Sequence, residues 1–339
     1  MASARGPIKV LHFGLGPIGA GVVKQVAARK GFKIVGAVDI DPDKAGKDLG
    51  EVAGLGRSLR IKVSDQARKA IKSSKPDVVV LCTTSSLKKI LPQVETILRL
   101  KVPIVSTTEE LAYPTKANMR QARTIHQLAK KAKVAVLGTG VNPGFVMDAL
   151  PIMLTGVCER VDAVRVDRIQ DARIRRLPFQ QKIGAGLTRE QFERKVDDGS
   201  VRHVGLAESV SMIADALGWK LDRITDDIRP RIATATVASE YLAVDPGYVC
   251  GIEQDGVGYR NGLPIIALHM EAYLGAPESY DAVEITGSPA LKMKLAGGVH
   301  GDIATTSITV NSIPKVLEVA PGRHTMRDMP LPSFFAGAR

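Results

Sequence analysis

The chain has 339 residues, enough for two domains with sizeable cores. Hydrophobic residues make up 45% and charged residues 24%, an ordinary globular balance, and no apolar run reaches the ~18 residues needed to span a bilayer. Lys plus Arg number 47 against 35 Asp plus Glu, a net +12, but no nucleic-acid motif accompanies that charge, so it reads as a surface biased toward anionic small molecules.

In chain order, short apolar runs alternate with helical patterns over the first 140 residues. The expected strands are Ile8–Phe13, Lys33–Val38, Leu59–Val63, Asp77–Cys82, Pro103–Ser106 and Lys133–Leu137. The expected helices between them are Ile18–Lys30, Asp43–Leu49, Ser64–Lys72, Leu87–Leu100 and Thr115–Ala132. Strands alternating with helices predict an α/β fold with a doubly wound parallel sheet. Near-continuous apolar strands such as Val78–Leu81 fit a sheet covered on both faces. Gly140–Phe145 is loop chemistry, with Pro143 suited to the first turn of a following helix.

The pattern then changes to an α+β second domain with a mostly antiparallel sheet. Val161–Ile169 reads as a strand, Thr188 with Gln191 as a capping box, and Glu208–Leu217 as a helix. Tyr248–Tyr259 and Leu263–Leu274 are joined through Asn261-Gly262, a strong hairpin signal, and Tyr280–Gly287 adds a strand. Asp302 or Thr305 is expected to cap a last helix, which is free to pack back on the first domain. The expected division is 1–145, 146–301 with the helix of about 302–319 returning, and an extended tail at 320–339.

Gly14-Leu15-Gly16-Pro17-Ile18-Gly19 fits G-x-G-x-x-G between an apolar strand and a helical run. That context makes it a Rossmann dinucleotide fingerprint: a tight turn, a close backbone approach to pyrophosphate, and close helix–strand packing. Asp39 ends the second strand about 20 residues on, where an acid accepts hydrogen bonds from the adenosine ribose and repels a 2′-phosphate. NAD is therefore favoured, with Lys44 and Lys47 near enough to admit NADP. Thr83, Thr84 and Ser85 follow the fourth strand, where they suit either the nicotinamide ribose or a helix cap.

Glu109 and Glu110 follow the fifth strand. Two acids at the mouth of a nucleotide fold suggest a cationic substrate, because the coenzyme phosphates are themselves anionic. A carboxylate holds an ammonium, takes its proton, and stabilises the iminium charge that develops as hydride leaves. Adjacent positions point apart, so one of the two is expected to act and the other to be structural, with Glu109 nearer the strand end.

Together these segments, with Gly46–Gly50, Thr107–Pro114, Gly138–Phe145 and Arg323-His324-Thr325-Met326, resemble the 2,4-diaminopentanoate dehydrogenase family. The native NAD(P)-dependent amine dehydrogenases belong to the same wider group, whose fold is similar to dihydrodipicolinate reductase. The resemblance implies reversible oxidative deamination of an amine or diamino acid to a ketone and ammonia. It also implies a glutamate of the 109–110 pair as acid/base, and a homodimer. The reductases' paired histidines are absent from the Arg175–Thr188 region, which puts dihydrodipicolinate reduction in doubt.

Further candidates lie beyond the nucleotide fold. Asn142, Gly144 and Phe145 sit at the crossover between domains, where Asn142 suits the coenzyme and the other two the substrate. Arg173 and Arg176, in a cluster with Arg165, Arg168 and Arg175, suit a substrate carboxylate. His300 precedes the last helix as a further substrate candidate, while His203 and His269 have no evident partners. There is no His-x-x-x-His, paired-cysteine or G-x-S-x-G pattern, so neither a metal nor a serine nucleophile is expected. Three scattered cysteines form no disulfide framework, and with no apolar leader in Met1–Val10 they fit a reducing cytoplasm. The rivals to an amine dehydrogenase are a C=N reductase and a non-catalytic NAD(P)-sensing protein.

Overall fold

The computed structural model describes residues 6–201 and 204–337. They form two compact units: residues up to Phe145 joined by those from His300 onward, and Val146–Val299. No helix among the described residues is long and apolar enough to cross a membrane.

The first unit begins with β1 (Ile8–Phe13), α1 (Pro17–Ala27), β2 (Phe32–Val38), α2 (Leu49–Val52), β3 (Val63–Ser64) and α3 (Ala67–Ser74). It continues through β4 (Val78–Leu81), α4 (Leu87–Arg99), β5 (Ile104–Ser106), α5 (Glu109–Ala112), α6 (Met119–Ala132) and β6 (Ala135–Gly138). β4 is buried along its whole length, as its unbroken run of valines and leucine demands. One sheet face packs Leu11, Val79, Leu81, Ile90, Val94 and Ile125 together, and the other packs Leu15, Val23, Ala37 and Leu49. His12 is buried in β1, and burial pushes its imidazole down to about 3, so it is a neutral core side chain.

The second unit holds α7 (Ala149–Thr155), β7 (Arg160–Asp171), α8 (Leu177–Lys182), α9 (Arg189–Asp197) and α10 (Leu206–Ala216). After them come β8 (Arg223–Ile232), β9 (Val237–Ala238), β10 (Ala243–Val244), β11 (Val249–Arg260), β12 (Leu263–Tyr273), β13 (Tyr280–Ser288) and β14 (Leu291–Ala296). Its six-stranded sheet runs β14-β13-β7-β12-β11-β8, antiparallel except for the parallel β7–β12 pair. Asn261 and Gly262 both take positive φ, 51° and 75°, as the two-residue hairpin turn requires. Arg168 is clamped inside this unit: its Nη1 lies 2.5 Å from Asp281 Oδ1, its Nη2 donates to the Val299 carbonyl, and Val299 N donates to Asp281.

The chain then returns to the first unit as α11 (Gly301–Val316) and β15 (Gly322–His324). The completed sheet has order β15-β6-β5-β4-β1-β2-β3, all parallel. α11 packs on α1 at Gly21, where a Cβ would approach Thr306 Cγ2 to 2.8 Å. Gln25 Nε2 donates to Thr306 and Ser307, and Arg29 Nη1 to Asn311. These contacts advance together along both helices, so α1 and α11 run parallel.

Several expectations differ from the structure. The third strand shrinks to Val63–Ser64, because residues 59–62 turn away to hydrogen bond with Asp48 and Leu49. The helix expected over Asp43–Leu49 is a series of turns, and α2 begins only at Leu49, capped by Asp48. Pro143 starts no helix; α7 opens six residues later, capped by the Asp148 carboxylate. α11 begins at Gly301 with His300 as its N-cap, ahead of both expected caps. The tail is not simply extended, since Gly322–His324 adds to the sheet beside β6. β8 and β14 carry no clean signal: β8 reads Arg-Ile-Thr-Asp-Asp-Ile-Arg-Pro-Arg-Ile and sits at an edge, where a proline is tolerated.

Candidate active site

The carboxyl ends of β1, β2, β4, β5 and β6 share one edge of the parallel sheet. The order reverses between β1 and β4, and open sheets of this kind bind ligands at such a switch point. Gly14 has φ of 91°, and a Cβ on it would lie 2.5 Å from the Cys82 carbonyl oxygen. A Cβ on Gly19 would come within 2.0 Å of the Gly14 carbonyl oxygen. Gly16 is different: it is the N-cap of α1, and a Cβ there would meet nothing within 4 Å. Gly14 and Gly19 thus shape the turn, while Gly16 leaves an open cradle at a helix N-terminus. Pro17 occupies the first helical position and has no N–H to satisfy, while Ile18 carries one of the helix-start N–H groups that lack an intrahelical acceptor. The residues present fit a dinucleotide pyrophosphate.

Asp39 is buried, and its Oδ2 accepts from Leu15 N at 2.7 Å while Oδ1 accepts from Asp41 N at 3.0 Å. The carboxylate therefore holds the glycine loop as well as standing at the end of β2, a tie that spacing alone did not reveal. Lys44 Nζ lies 3.5 Å from Asp39 Oδ2 and 3.0 Å from Asp41 Oδ2. The Lys44 hydrogen bond and the Asp43 N–H hold the Asp41 carboxyl below its usual range, and Asp41 in turn raises the Lys44 ammonium.

The loops after β4 and β5 are laced together. Ser106 Oγ donates to the Leu81 carbonyl, Thr108 Oγ1 to the Thr84 carbonyl, and Glu110 N to the Ser85 carbonyl. Thr83 is exposed and its hydroxyl donates to Gln93. Ser86 sits at the N-cap of α4 but makes no side-chain cap bond. The cap comes from the neighbouring loop instead: Glu110 Oε2 accepts from Leu87 N at 2.7 Å. Glu110 is thus engaged as a helix cap, and Glu109 lies half-buried beside it at the start of α5.

Asn142 is buried in the loop after β6, and Gly144 has φ of 125°, with a Cβ there blocked at 2.5 Å by Gly140 N. Phe145 closes that loop, half-buried. His300 heads α11, whose parallel run beside α1 brings it toward the end of the sheet that carries the glycine loop. Its Nδ1 is buried without a hydrogen-bond partner among the described residues.

Arg173 and Arg176 belong to the second unit. Arg173 is exposed and its guanidinium is taken by Asp171, with Nη2–Oδ2 at 2.6 Å. Arg175 donates to Gln170 and stacks over Phe179 at 3.9 Å, and Arg176 is the N-cap residue of α8. His269, which had no evident partner in the sequence, lies between Asp255 at 2.7 Å and Glu271 at 3.1 Å. Asp255 and Glu253 also share an ion pair with Arg229. His203 lies outside the described residues.

The 2,4-diaminopentanoate dehydrogenase C-terminal domain model matches residues 145–339, and the dihydrodipicolinate reductase N-terminal model matches residues 8–138. The chain belongs to the 2,4-diaminopentanoate dehydrogenase family. It is 36% identical to the 2,4-diaminopentanoate dehydrogenase of Acetoanaerobium sticklandii, covering 97% of this chain and 95% of the relative. An amine dehydrogenase of Streptomyces virginiae is 22% identical, with 96% of each chain covered. The solved structure of an amine dehydrogenase from Mycobacterium smegmatis superposes with a TM-score of 0.86 at 25% identity, covering 98% of both chains. The family likeness agrees with the fold: a nicotinamide-coenzyme dehydrogenase with a Rossmann unit and a second, mixed-sheet unit.

Proposed function

We propose that the protein catalyses the reversible, NAD(P)-dependent oxidative deamination of an amine or diamino acid to a ketone and ammonia. The observation that carries this reading is the acidic pair that opens α5 directly after β5, at the carboxyl edge of the sheet, with Glu110 committed to capping α4; Glu109 is assigned the chemistry. The nicotinamide, when bound, accepts hydride from the amine-bearing carbon. Glu109 pairs with the substrate ammonium and takes one proton, so that the nitrogen lone pair can drive hydride departure; once that proton has passed to solvent, the regenerated carboxylate stabilises the iminium charge. It then takes a proton from the water that attacks the iminium carbon and returns it to the nitrogen, which leaves as ammonia while the carbinol O–H loses its proton to give the ketone. Thr83, Thr84, Ser85 and Asn142 border the nicotinamide end, while Gly144, Phe145 and His300 serve the substrate.

NAD is the preferred coenzyme, because the Asp39 carboxylate repels a 2′-phosphate. Lys44, paired to Asp39 and Asp41, is the residue through which NADP is accommodated. Arg176 reads the carboxylate of a diamino acid; Arg173 is poorly suited to it because Asp171 already clamps it. A homodimer is the working assembly.

A C=N reductase and a nucleotide sensor are less favoured, because the relatives spanning the whole chain are dehydrogenases. The test is a panel of amines and amino acids with each coenzyme, followed by reduced-coenzyme absorbance, and the corresponding ketones with ammonia. Ammonia-dependent reduction of a ketone is expected. Turnover confined to preformed imines, or none at all, would remove the assignment.

A further inference from the structure

Arg323-His324-Thr325-Met326, one of the distinctive segments of the sequence, takes no part in the site above. Arg323 lies on β15, the last strand of the sheet, opposite Val136 of β6. Gly322 before it has φ of 140°, and a Cβ there would press on the His126 ring at 3.1 Å, so glycine is what lets the imidazole lie against the strand. His126 Nδ1 accepts from Arg323 N at 3.3 Å. With Nδ1 accepting, a neutral ring carries its proton on Nε2 and has a donor to offer elsewhere.

A cavity of about 160 Å³ opens here, lined by Met119, Ala122, Arg123, His126, Gln127 and Arg323. None of the six is acidic. Residues 119, 123, 126 and 127 form one stripe of α6, which sets Arg123, His126 and Gln127 side by side. The guanidinium of Arg323 is largely buried, and its Nη1 has no hydrogen-bond partner among the described residues. Asp328 favours the Arg323 cation, but it is also bound by Thr325 N and Thr325 Oγ1 and lies beside Arg327 Nε. Burial outweighs what Asp328 and Tyr113 supply, so a further anion against the guanidinium would be favourable.

We propose that this cavity is a binding site for a tetrahedral oxyanion of phosphate size. A cavity of this volume has room for one such anion. Its lining offers guanidinium donors from Arg323 and Arg123, the His126 Nε2–H and the Gln127 amide, a set of several donors and no acid that suits an anion with several oxygens. The site is distinct from the coenzyme's pyrophosphate cradle. β15 is four places from β1 in the sheet, about 19 Å at ~4.8 Å per strand. The proposal is also independent of the amine reading, since it uses no residue of that chemistry.

The experiment is calorimetric titration of the full-length protein, saturated with NADH so that the glycine loop is filled. Inorganic phosphate is the probe, with glycerol phosphate, acetate and chloride at equal ionic strength as comparators. Saturable phosphate binding is expected, weakened at least tenfold by Arg323→Gln and by Arg123→Ala. Arg123 is exposed, so its variant keeps the test valid if Arg323→Gln folds poorly. Glycerol phosphate binding as well as phosphate would identify a phosphomonoester site, and its exclusion a free-ion site; both support the proposal. It is overturned if the wild type shows no saturable binding, if acetate binds as tightly, or if Arg123→Ala binds phosphate as the wild type does.

Discussion

Replacing the two adjacent glutamates separately distinguishes chemistry from scaffolding. Glu110 Oε2 receives the first N–H of the 13-residue helix α4, at 2.7 Å, where Ser86 gives no side-chain cap. Removing such a cap costs ~0.5–2 kcal/mol, and the part due to charge at the helix dipole is ~0.3–1 kcal/mol. Glu110→Ala should therefore lower the melting temperature by about 2–6 °C, and Glu110→Gln, which keeps an acceptor, by less. Glu109→Gln preserves size and polarity but cannot take a proton. A general acid–base contribution is ~10²–10⁴-fold, or roughly 3–5 kcal/mol on the barrier. That variant should melt with the wild type, bind NADH normally by fluorescence, and lose amine oxidation by about that factor. The reasoning fails if Glu109→Gln keeps activity within about threefold of wild type, or if Glu110→Gln is the inactive variant while Glu110→Ala melts unchanged.

Gly16→Ala should fold as stably as the wild type, since a Cβ there has open space and ordinary φ, yet bind NADH at least tenfold more weakly by fluorescence titration. Gly19→Ala, with its Cβ 2.0 Å from the Gly14 carbonyl, should lose stability as well as binding. Asp281→Asn strips the countercharge from buried Arg168 and should destabilise by ~3–5 kcal/mol in urea unfolding, whereas Arg168→Met with Asp281→Leu should recover most of it. Burial disfavours the His269 imidazolium, but hydrogen bonds to Asp255 and Glu271 outweigh it and raise its pKa above 6.5. Its stabilisation is then complete below the unfolded value and lost as pH rises through the raised one. The stability gap between wild type and His269→Gln should shrink from pH 5.5 to 8.5, and a constant gap would refute the assignment.

Periodicity and turn chemistry determined most of the first unit. Ile8–Phe13 and Leu87 onward are legible because an apolar strand and an amphipathic helix each have a local repeat. The glycine fingerprint, the Asn261-Gly262 hairpin and the Thr188–Gln191 capping box are also local, each set by the φ or the reach of one side chain. The sequence likewise offered a pair of acids, Glu109 and Glu110, as candidates for the chemistry.

Tertiary structure alone gave those two acids different surroundings. The N–H that Glu110 caps is 23 residues away in sequence and is brought close only by the pairing of β4 with β5. The same holds for the Asp39 bond to Leu15, 24 residues distant. Arg323 shows this most plainly: 197 residues separate it from His126, and only the addition of β15 beside β6 joins them. Partners of this kind follow from strand order, which depends on the burial of whole faces and leaves no periodic trace at the residues concerned.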